Sequence, residues 1–372
     1  MINFDNSINK PGVFYVSSNI KDHNIVNWYL QWKGKNKKVR NICHTMEGVS
    51  DFPLGDYDIT QTKVLHQLKG LKLLNYIVVV IYLFFYSFLV FIFNQYQGLL
   101  FREISQVRRV KLLKEGELAR EYFFNNSSPF YRPIWTYFVE EKGSKVLFYF
   151  YSSSAEIPSN NRMKLSQQPW NLATWTHYLL WDEYQVNFIK TYVKNNPIIE
   201  KVGVIWFSSS KKQVDIPPRS IAVFDITPPR PAMRLTYGVV FENYTADMVV
   251  QFMSDVYRVA SKHNLNIAFK MKRVDKLADK RYLREIVQLS ENSDFINFDP
   301  HVDATQVIQK TEACISIPFT STGVIAAQEG KKSAYYDPIG IYDKADLSSH
   351  GVPLLIGIKE LEEWIEKIAL TN

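Results

Sequence analysis

The chain has 372 residues, 46% of them hydrophobic and 15% aromatic, with a formal net charge of +7. That length exceeds one simple core and suits two domains, and the composition excludes a disordered chain. Its two cysteines, Cys43 and Cys314, exclude a disulfide framework and a cysteine-built zinc site and fit a reducing compartment.

The opening "MINFDNSINKPGVFYVSS" lacks the charged-then-apolar pattern of a signal peptide, so export is not expected, and "GVFYVSS" (12–18) predicts a first strand. Between Lys72 and Arg102 no charged residue occurs, and "IVVVIYLFFYSFLVFIF" (77–93) is apolar almost throughout. As one helix the uncharged stretch would reach roughly 43 Å at about 1.5 Å per residue, enough to cross a bilayer. Basic residues flank both ends: Lys63, Lys69 and Lys72 before, then Arg102, Arg108, Arg109, Lys111 and Lys114 after. The positive-inside rule therefore sets no orientation. A crossing would split the sheet that "GVFYVSS" joins. The expectation is a helix or tight hairpin, about residues 71–112, dipping into one leaflet with its basic flanks on anionic headgroups, with a single transmembrane pass as competitor.

Downstream, "KVLFYFYSSS" (145–154), "KVGVIWFSSS" (201–210) and "SIAVFDITPP" (220–229) read as strands ending in turn chemistry. Between the first two, Leu179, Trp181, Tyr184, Phe188, Ile189 and Val193 recur at helical spacing. Then come a helix closed by Asn264, a strand "LNIAFKMKR", a helix "KRYLREIVQLSEN", a strand "DFINFDP" and a helix capped by Asp303. A strand "ACISIP", a helix "STGVIAAQE" stopped by Gly330, a strand "SAYYD" and a final amphipathic helix "IKELEEWIEKIAL" complete the chain. Such alternation means parallel sheets, and "TPPRP" (227–231) supplies a stiff boundary. The expected fold class is α/β, with two doubly wound Rossmann-like domains at 1–224 and 225–372 and the apolar element inserted in the first.

In such sheets ligands bind at the carboxyl ends of strands. "PFTSTG" (318–323) is such an end: Thr320, Ser321 and Thr322 offer hydroxyls at a helix N-terminus, and Gly323 would let a phosphate approach the backbone. A plain N-cap needs only one hydroxyl. The Gly-x4-Gly-Lys-Ser/Thr spacing of a P-loop is absent. Lys270, Lys272 and Arg273 end a strand; by alternation Lys270 and Lys272 share a face, toward a ligand or toward solvent. His301 stands before a capped helix, as a ligand or an exposed side chain. Asp225 ends a strand beside the boundary, as nucleophile, base or turn cap. Glu140 lies on a helix, as a second candidate carboxylate or part of a solvated face. "FFNNSSPFYRPIWTYFVEE" (123–141) gathers Asn126, Tyr131, Arg132 and Trp135, either a sugar-stacking surface or a polar loop over an aromatic core.

"HVDATQVIQKTEACISIPFTSTGVIAAQEGKKSAYYDP" resembles the C-terminal, nucleotide-binding half of two-Rossmann (GT-B) glycosyltransferases of bacterial surface-polysaccharide synthesis. "YLLWDEYQVNFIKTYV…KVGVIWF" followed by "IAVFDITPPRP" is similar to the end of their first domain and the crossover. The resemblance covers about residues 120–340, and "PFTSTG" and "YYDP" look most like enzymes that use CMP-activated sugars such as Kdo or sialic acid. It implies that Thr320, Ser321 and Thr322 hold the CMP phosphate, with Lys270–Arg273 and His301 lining the same cleft. Many nucleotide-diphosphate-sugar members carry a ribose-binding Glu five residues before the helix-ending glycine. Here that position is Ile325, with Gln328 and Glu329 nearer the glycine.

The resemblance thus implies transfer of a sugar from a nucleotide-sugar donor, held by the second domain, to a glycan or lipid-linked acceptor held by the first. It implies a location at the cytoplasmic face of the inner membrane. No metal or other cofactor is expected, because a helix dipole, hydroxyls and cations can hold leaving-group charge. Nucleic acid is not an expected partner. The competing functions are a CDP-polyol phosphotransferase of a teichoic-acid-like pathway and a non-catalytic membrane scaffold.

Overall fold

In the computed structural model the described residues are 12–14, 32, 41–44, 52–54, 57–61, 65, 67–93, 96–125, 130–153, 170–204, 214–231, 245–272, 277–300 and 302–370. The chain divides into two compact units, one of 1–151, 169–181 and 189–205, the other of 152–168, 182–188 and 206–372. Each is built on a doubly wound sheet, the α/β class expected.

The first unit's sheet has eight strands, β1 (Gly12–Phe14), β2 (Asn41–His44), β3 (Phe52–Leu54), β4 (Tyr57–Gln61), β5 (Glu121–Asn125), β6 (Lys145–Tyr149), β7 (His177–Leu180) and β8 (Ile198–Lys201). They lie in the order β3-β4-β2-β1-β5-β6-β7-β8, all pairs parallel except β3 with β4. β1 is central, with Val13 opposite Cys43 on β2 and Tyr122 on β5. Between β4 and β5 stand α1 (Gly70–Ile92), a 3-10 turn (Tyr96–Leu100) and α2 (Phe101–Leu112). α1 is long and apolar enough to cross a membrane, and none of its residues is buried. The uncharged stretch is therefore not one continuous helix. Gly98 sits so close to α1 that a Cβ there would lie 2.7 Å from the Ser87 carbonyl oxygen.

β7 corrects one sequence expectation. "HYLL" is a strand, and the helix starts only at Glu183, in α4 (Glu183–Tyr192), the next helix after α3 (Trp135–Glu141). Every residue of β7 is buried, and a short run buried on both faces shows no alternation that would separate strand from helix. β5 and β8 also differ from expectation. "EYFFN" opens what was read as a polar aromatic loop, and the strand placed at 201–210 lies at Ile198–Lys201, with 205–210 outside the described residues.

In the second unit β9 (Ser220–Phe224), β10 (Asn266–Lys270), β11 (Phe295–Phe298), β12 (Ala313–Ser316), β13 (Lys332–Asp337) and β14 (Leu354–Ile356) form a parallel sheet in the order β11-β10-β9-β12-β13-β14. Helices α5 (Ala246–Lys262), α6 (Lys280–Leu289), α7 (Ala304–Lys310), α8 (Ser321–Gln328) and α9 (Gly357–Ala369) connect or follow these strands. Thr245 caps α5 by accepting from the Met248 amide, and Asp279 and Asp303 do the same for α6 and α7. Val223, Phe252, Ile267, Ile315 and Leu361, from three strands and two helices, meet in its core. β9 is central in this sheet, so the division expected at 224/225 would remove its middle strand; the second unit takes in residue 206 onward.

Candidate functional site

The order β11-β10-β9-β12-β13-β14 reverses direction between β9 and β12, and the crevice outside the carboxyl ends of those two strands is where open parallel sheets bind ligands. Register fixes what stands there. Phe224 of β9 is opposite both Lys270 of β10 and Ser316 of β12. The next residues along the three strands are Asp225, Met271 and the Ile317–Thr320 turn.

Asp225 is 3% exposed. Its Oδ2 accepts a 2.5 Å hydrogen bond from the Tyr282 hydroxyl on α6, while Oδ1 has no well-formed partner. Burial pushes this carboxyl up to about 6, against the opposing pull of the Tyr282 bond and of Lys272. Lys270 is buried too, and its Nζ makes one long contact, 3.5 Å, to the Met271 carbonyl among the described residues. Burial pushes the Lys270 ammonium down, although Asp303, Asp225 and Asp299 favour its charge. A buried carboxylate and a buried, under-bonded ammonium are costly unless something polar completes them. Both occur at the switch point.

The turn after β12 supplies the third component. Pro318 is buried and Phe319 has φ +63°, a left-handed conformation that costs a non-glycine residue about 1–3 kcal/mol. Its ring is held edge-on by Tyr335 and Tyr342, with centroids at 5.7 and 4.8 Å. The Tyr335 hydroxyl donates to the Thr320 carbonyl at 2.7 Å, fixing the turn from the neighbouring strand. Thr320 is the N-cap of α8, but its hydroxyl donates back to the Ile317 carbonyl and lies 3.2 Å from Thr322 Oγ1, so no side chain caps the helix. Thr322 in turn meets Ser316 Oγ at 3.0 Å. Ser321 Oγ accepts from the Ser153 amide at 3.1 Å and lies 3.2 Å from its hydroxyl, within the second unit. The three hydroxyls are half-buried and linked to one another or to a serine.

Gly323 has a different role from the one expected. A Cβ there would lie 2.5 Å from Cε1 of the Tyr335 ring, so the glycine lets α8 pack onto β13. The alternation proposed for Lys270 and Lys272 also fails, because β10 ends at Lys270; that residue is buried and Lys272 is exposed. His301, Arg273 and Asn126 lie outside the described residues.

The first unit's candidates are described within that unit. The Arg132 guanidinium donates to Thr136 Oγ1 at 3.0 Å, to the Thr174 carbonyl at 2.6 Å and to Glu140, and stacks 4.0 Å from the Tyr137 ring centroid. Glu140 also accepts from Thr176. Trp135 is buried against Tyr122 and Phe124, so its ring is core and presents no sugar-stacking face. Tyr131 is exposed and donates to Glu103. Arg132 and Glu140 are thus an ion pair that ties α3 to the loop before β7.

Sequence reasoning missed Tyr282, Ser316, Tyr335 and Asp337. The last accepts from four successive backbone amides, Ile339 through Tyr342, and so shapes the loop that carries the Tyr342 ring to Phe319. Among the described residues no group of three His, Cys, Asp or Glu side chains is set to hold a metal ion.

Solved structures similar to the chain include a UDP-glucose complex of UGT71G1 from Medicago truncatula, 9% identical, covering 99% of this chain and 91% of that one, with a TM-score of 0.47. The wall teichoic acid polymerase TagF is 12% identical over 99% and 84%, with a TM-score of 0.49. MurG of Acinetobacter baumannii is 10% identical over 97% and 94%, with a TM-score of 0.37. Likeness at this level identifies neither donor nor acceptor. Among curated proteins no relative matches the chain. A family model does match residues 83–365, about three quarters of the chain. Its description contains the tetrapeptide that Pro318, Phe319, Thr320 and Ser321 spell at the switch point. The chain belongs to the polysaccharide-biosynthesis PFTS motif family.

Proposed function

We propose that this protein is a glycosyltransferase of polysaccharide synthesis that takes its sugar from a CMP-activated donor. The second unit holds the nucleotide and the first holds a glycan or lipid-linked acceptor at the cytoplasmic face of the inner membrane. One observation carries the reading. The PFTS turn stands at the topological switch point beside a buried, under-bonded Lys270 and a buried Asp225. In the reaction the acceptor oxygen bonds to the anomeric carbon as the bond from that carbon to the nucleotide phosphate oxygen breaks. Negative charge then grows on the phosphate, and the α8 N-terminus, which no side chain caps, the hydroxyls of Thr320 to Thr322 and the Lys270 ammonium favour it. Asp225, with a carboxyl near 6, suits the base that takes the acceptor hydroxyl proton near neutral pH.

Ile325, where many nucleotide-diphosphate-sugar members carry a ribose-binding glutamate, weakens the UDP-sugar reading and leaves CMP open. The alternative donor, a CDP-polyol, would use the same phosphate turn. The test is a thermal-shift titration with CMP, CDP, UDP and GDP, repeated on a Ser321→Ala/Thr322→Ala variant. A ligand at about 100 times its Kd stabilises the folded state by about 2.7 kcal/mol. Stabilisation by CMP that the variant loses supports the reading. Preference for UDP or GDP removes the donor assignment, and no response to any of the four favours a scaffold. Release of CMP from a CMP-sugar, against release of CMP from CDP-glycerol or CDP-ribitol, separates the two transferases.

A further inference from the structure

We infer that α1, the 3-10 turn at Tyr96–Leu100 and α2 form a re-entrant hairpin that enters one leaflet of an anionic bilayer and returns, so that the chain touches the membrane without crossing it. The inference rests on the membrane association proposed above and specifies its topology. Three observations carry it.

The first is the sheet. β1 precedes the apolar segment and β5 follows it, yet the two strands are hydrogen-bonded neighbours, Gly12 opposite Glu121 and Phe14 opposite Phe123. One crossing between them would put these partners on opposite sides of the bilayer and leave two open sheet edges. The segment must therefore leave and re-enter on the same face.

The second is the path of the return arm. Gly98 lies against Ser87, the Phe101 ring meets Phe84 edge-on at 6.0 Å, and Arg108 Nη2 donates to Asn75 Oδ1 at 2.5 Å. As residue number rises in one arm it falls in the other, which defines an antiparallel hairpin. Its base is fastened to the first unit. Lys72 pairs with Glu117 at 2.7 Å, Glu103 Oε2 accepts from the Ile134 amide at 2.9 Å, and Arg109 donates to the Leu65 carbonyl at 2.7 Å. Beyond the Phe84–Phe101 contact α1 continues to Ile92, roughly 12 Å at about 1.5 Å per residue, close to the half-thickness of a hydrocarbon core of about 30 Å.

The third is chemistry. The tip is apolar and open, with Phe93 74% and Tyr96 77% exposed, and no charged residue lies between Lys72 and Arg102. Arg102 follows Phe101 at the level of Phe84, and Lys69, Lys72, Arg108, Arg109, Lys111 and Lys114 lie along the arms further from the tip, with Glu103, Glu115 and Glu117 among them. An apolar tip above a basic collar complements hydrocarbon beneath anionic headgroups.

The experiment uses the full chain with Cys43 and Cys314 replaced by serine. Vesicles of equal parts phosphatidylcholine and phosphatidylglycerol are floated first. Flotation of the parent, weakened about tenfold or more by Phe88→Asp, is expected; a parent that stays at the bottom of the gradient overturns membrane association itself. Single cysteines are then placed at Lys69, Phe93 and Lys114, and an impermeant maleimide is added outside intact vesicles. The expected result is that both flanks react and the tip reacts only after detergent. A flank that stays unreactive until the lumen is opened, or a tip that reacts once a pore-forming peptide opens the lumen of intact vesicles without detergent, overturns the one-leaflet topology while leaving membrane binding intact. A tip that reacts equally fast before and after detergent overturns insertion. Tyr96→Cys serves as the second tip position if Phe93→Cys fails to fold. Transfer activity measured in detergent is independent of every arm.

Discussion

The burial of Asp225 makes a prediction about stability that needs no substrate. Its carboxyl stands at about 6 in the folded chain against 3.8 ordinarily. One pKa unit corresponds to about 1.36 kcal/mol between protonation states, so ionising Asp225 weakens the fold by about 3 kcal/mol. The folded protein holds this proton more tightly than the unfolded chain does. The contribution to stability is therefore complete below pH 3.8 and is lost as pH rises through about 6. Asp225→Asn keeps the shape and a carbonyl oxygen for Tyr282 but cannot ionise. At pH 8 the variant should be more stable than the parent by up to about 3 kcal/mol, and at pH 5 by roughly half as much. With a urea dependence of about 1–3 kcal/mol per molar, the shift at pH 8 is about 1 M or more. Urea unfolding followed by hydrogen exchange in the β9 and β10 peptides reads the second unit apart from the first. A difference that is equal at pH 5 and pH 8 would refute the reasoning, and so would a variant less stable than the parent at pH 8.

Three further outcomes follow from the same geometry. Tyr282→Phe removes the hydrogen bond that favours the charged carboxylate, so the acidic limb of the transfer-rate pH profile should move to higher pH, read by initial rates from pH 5 to 8. Gly323→Ala drives a methyl group into the Tyr335 ring and should destabilise the second unit by about 1–3 kcal/mol in urea unfolding. Arg132→Ala leaves Glu140 without its guanidinium and removes the stack on Tyr137; about 3 kcal/mol should be lost from the first unit by the same assay, with CMP binding by the second unit unchanged.

The second unit was legible because its helices announce themselves at both ends. Asp303 caps one helix, Asn264 closes another and Gly330 stops a third, and short, largely apolar strands lie between the helices. The first unit was less so. Its strands β5 and β7 are buried on every residue and aromatic-rich, and such a run carries no period to read. The site divided in the same way. The hydroxyls of the PFTS turn and the strand-end Asp225 are local in sequence, so their place at the ends of strands could be read there. Tyr282, 57 residues from its carboxylate partner, and Tyr335, 15 residues from the carbonyl it holds, act through register between distant strands and helices. No local spacing encodes that register. Arg132, Glu140 and Trp135 show the converse, since a cluster of sugar-recognising residue types is also what an aromatic core with one internal ion pair contains.

The tetrapeptide itself can be given a physical division of labour. A helix N-terminus able to take an anion needs unpaired amides, and in most helices a Ser, Thr or Asp side chain caps them. Here the N-cap hydroxyl turns away, to the Ile317 carbonyl and to Thr322, so the first amides of α8 are not consumed by their own cap. Holding the turn in that form requires Phe319 at positive φ, and the strain is offset by the Tyr335 and Tyr342 rings and by the bond from the Tyr335 hydroxyl to Thr320. Pro318 sets a restricted φ just before the left-handed residue, Phe319 is the buttressed strained residue, Thr320 is the cap that does not cap, and Ser321 brings a hydroxyl to the opening of the helix. Tyr335 is then the point of failure that distinguishes this account from plain packing. Tyr335→Phe keeps both the ring contact with Phe319 and the close approach to Gly323 but releases the Thr320 carbonyl. Stability should fall by about 1 kcal/mol, while CMP-induced stabilisation should fall by more than that loss predicts. A variant that loses stability but titrates with CMP like the parent would leave the turn as packing alone.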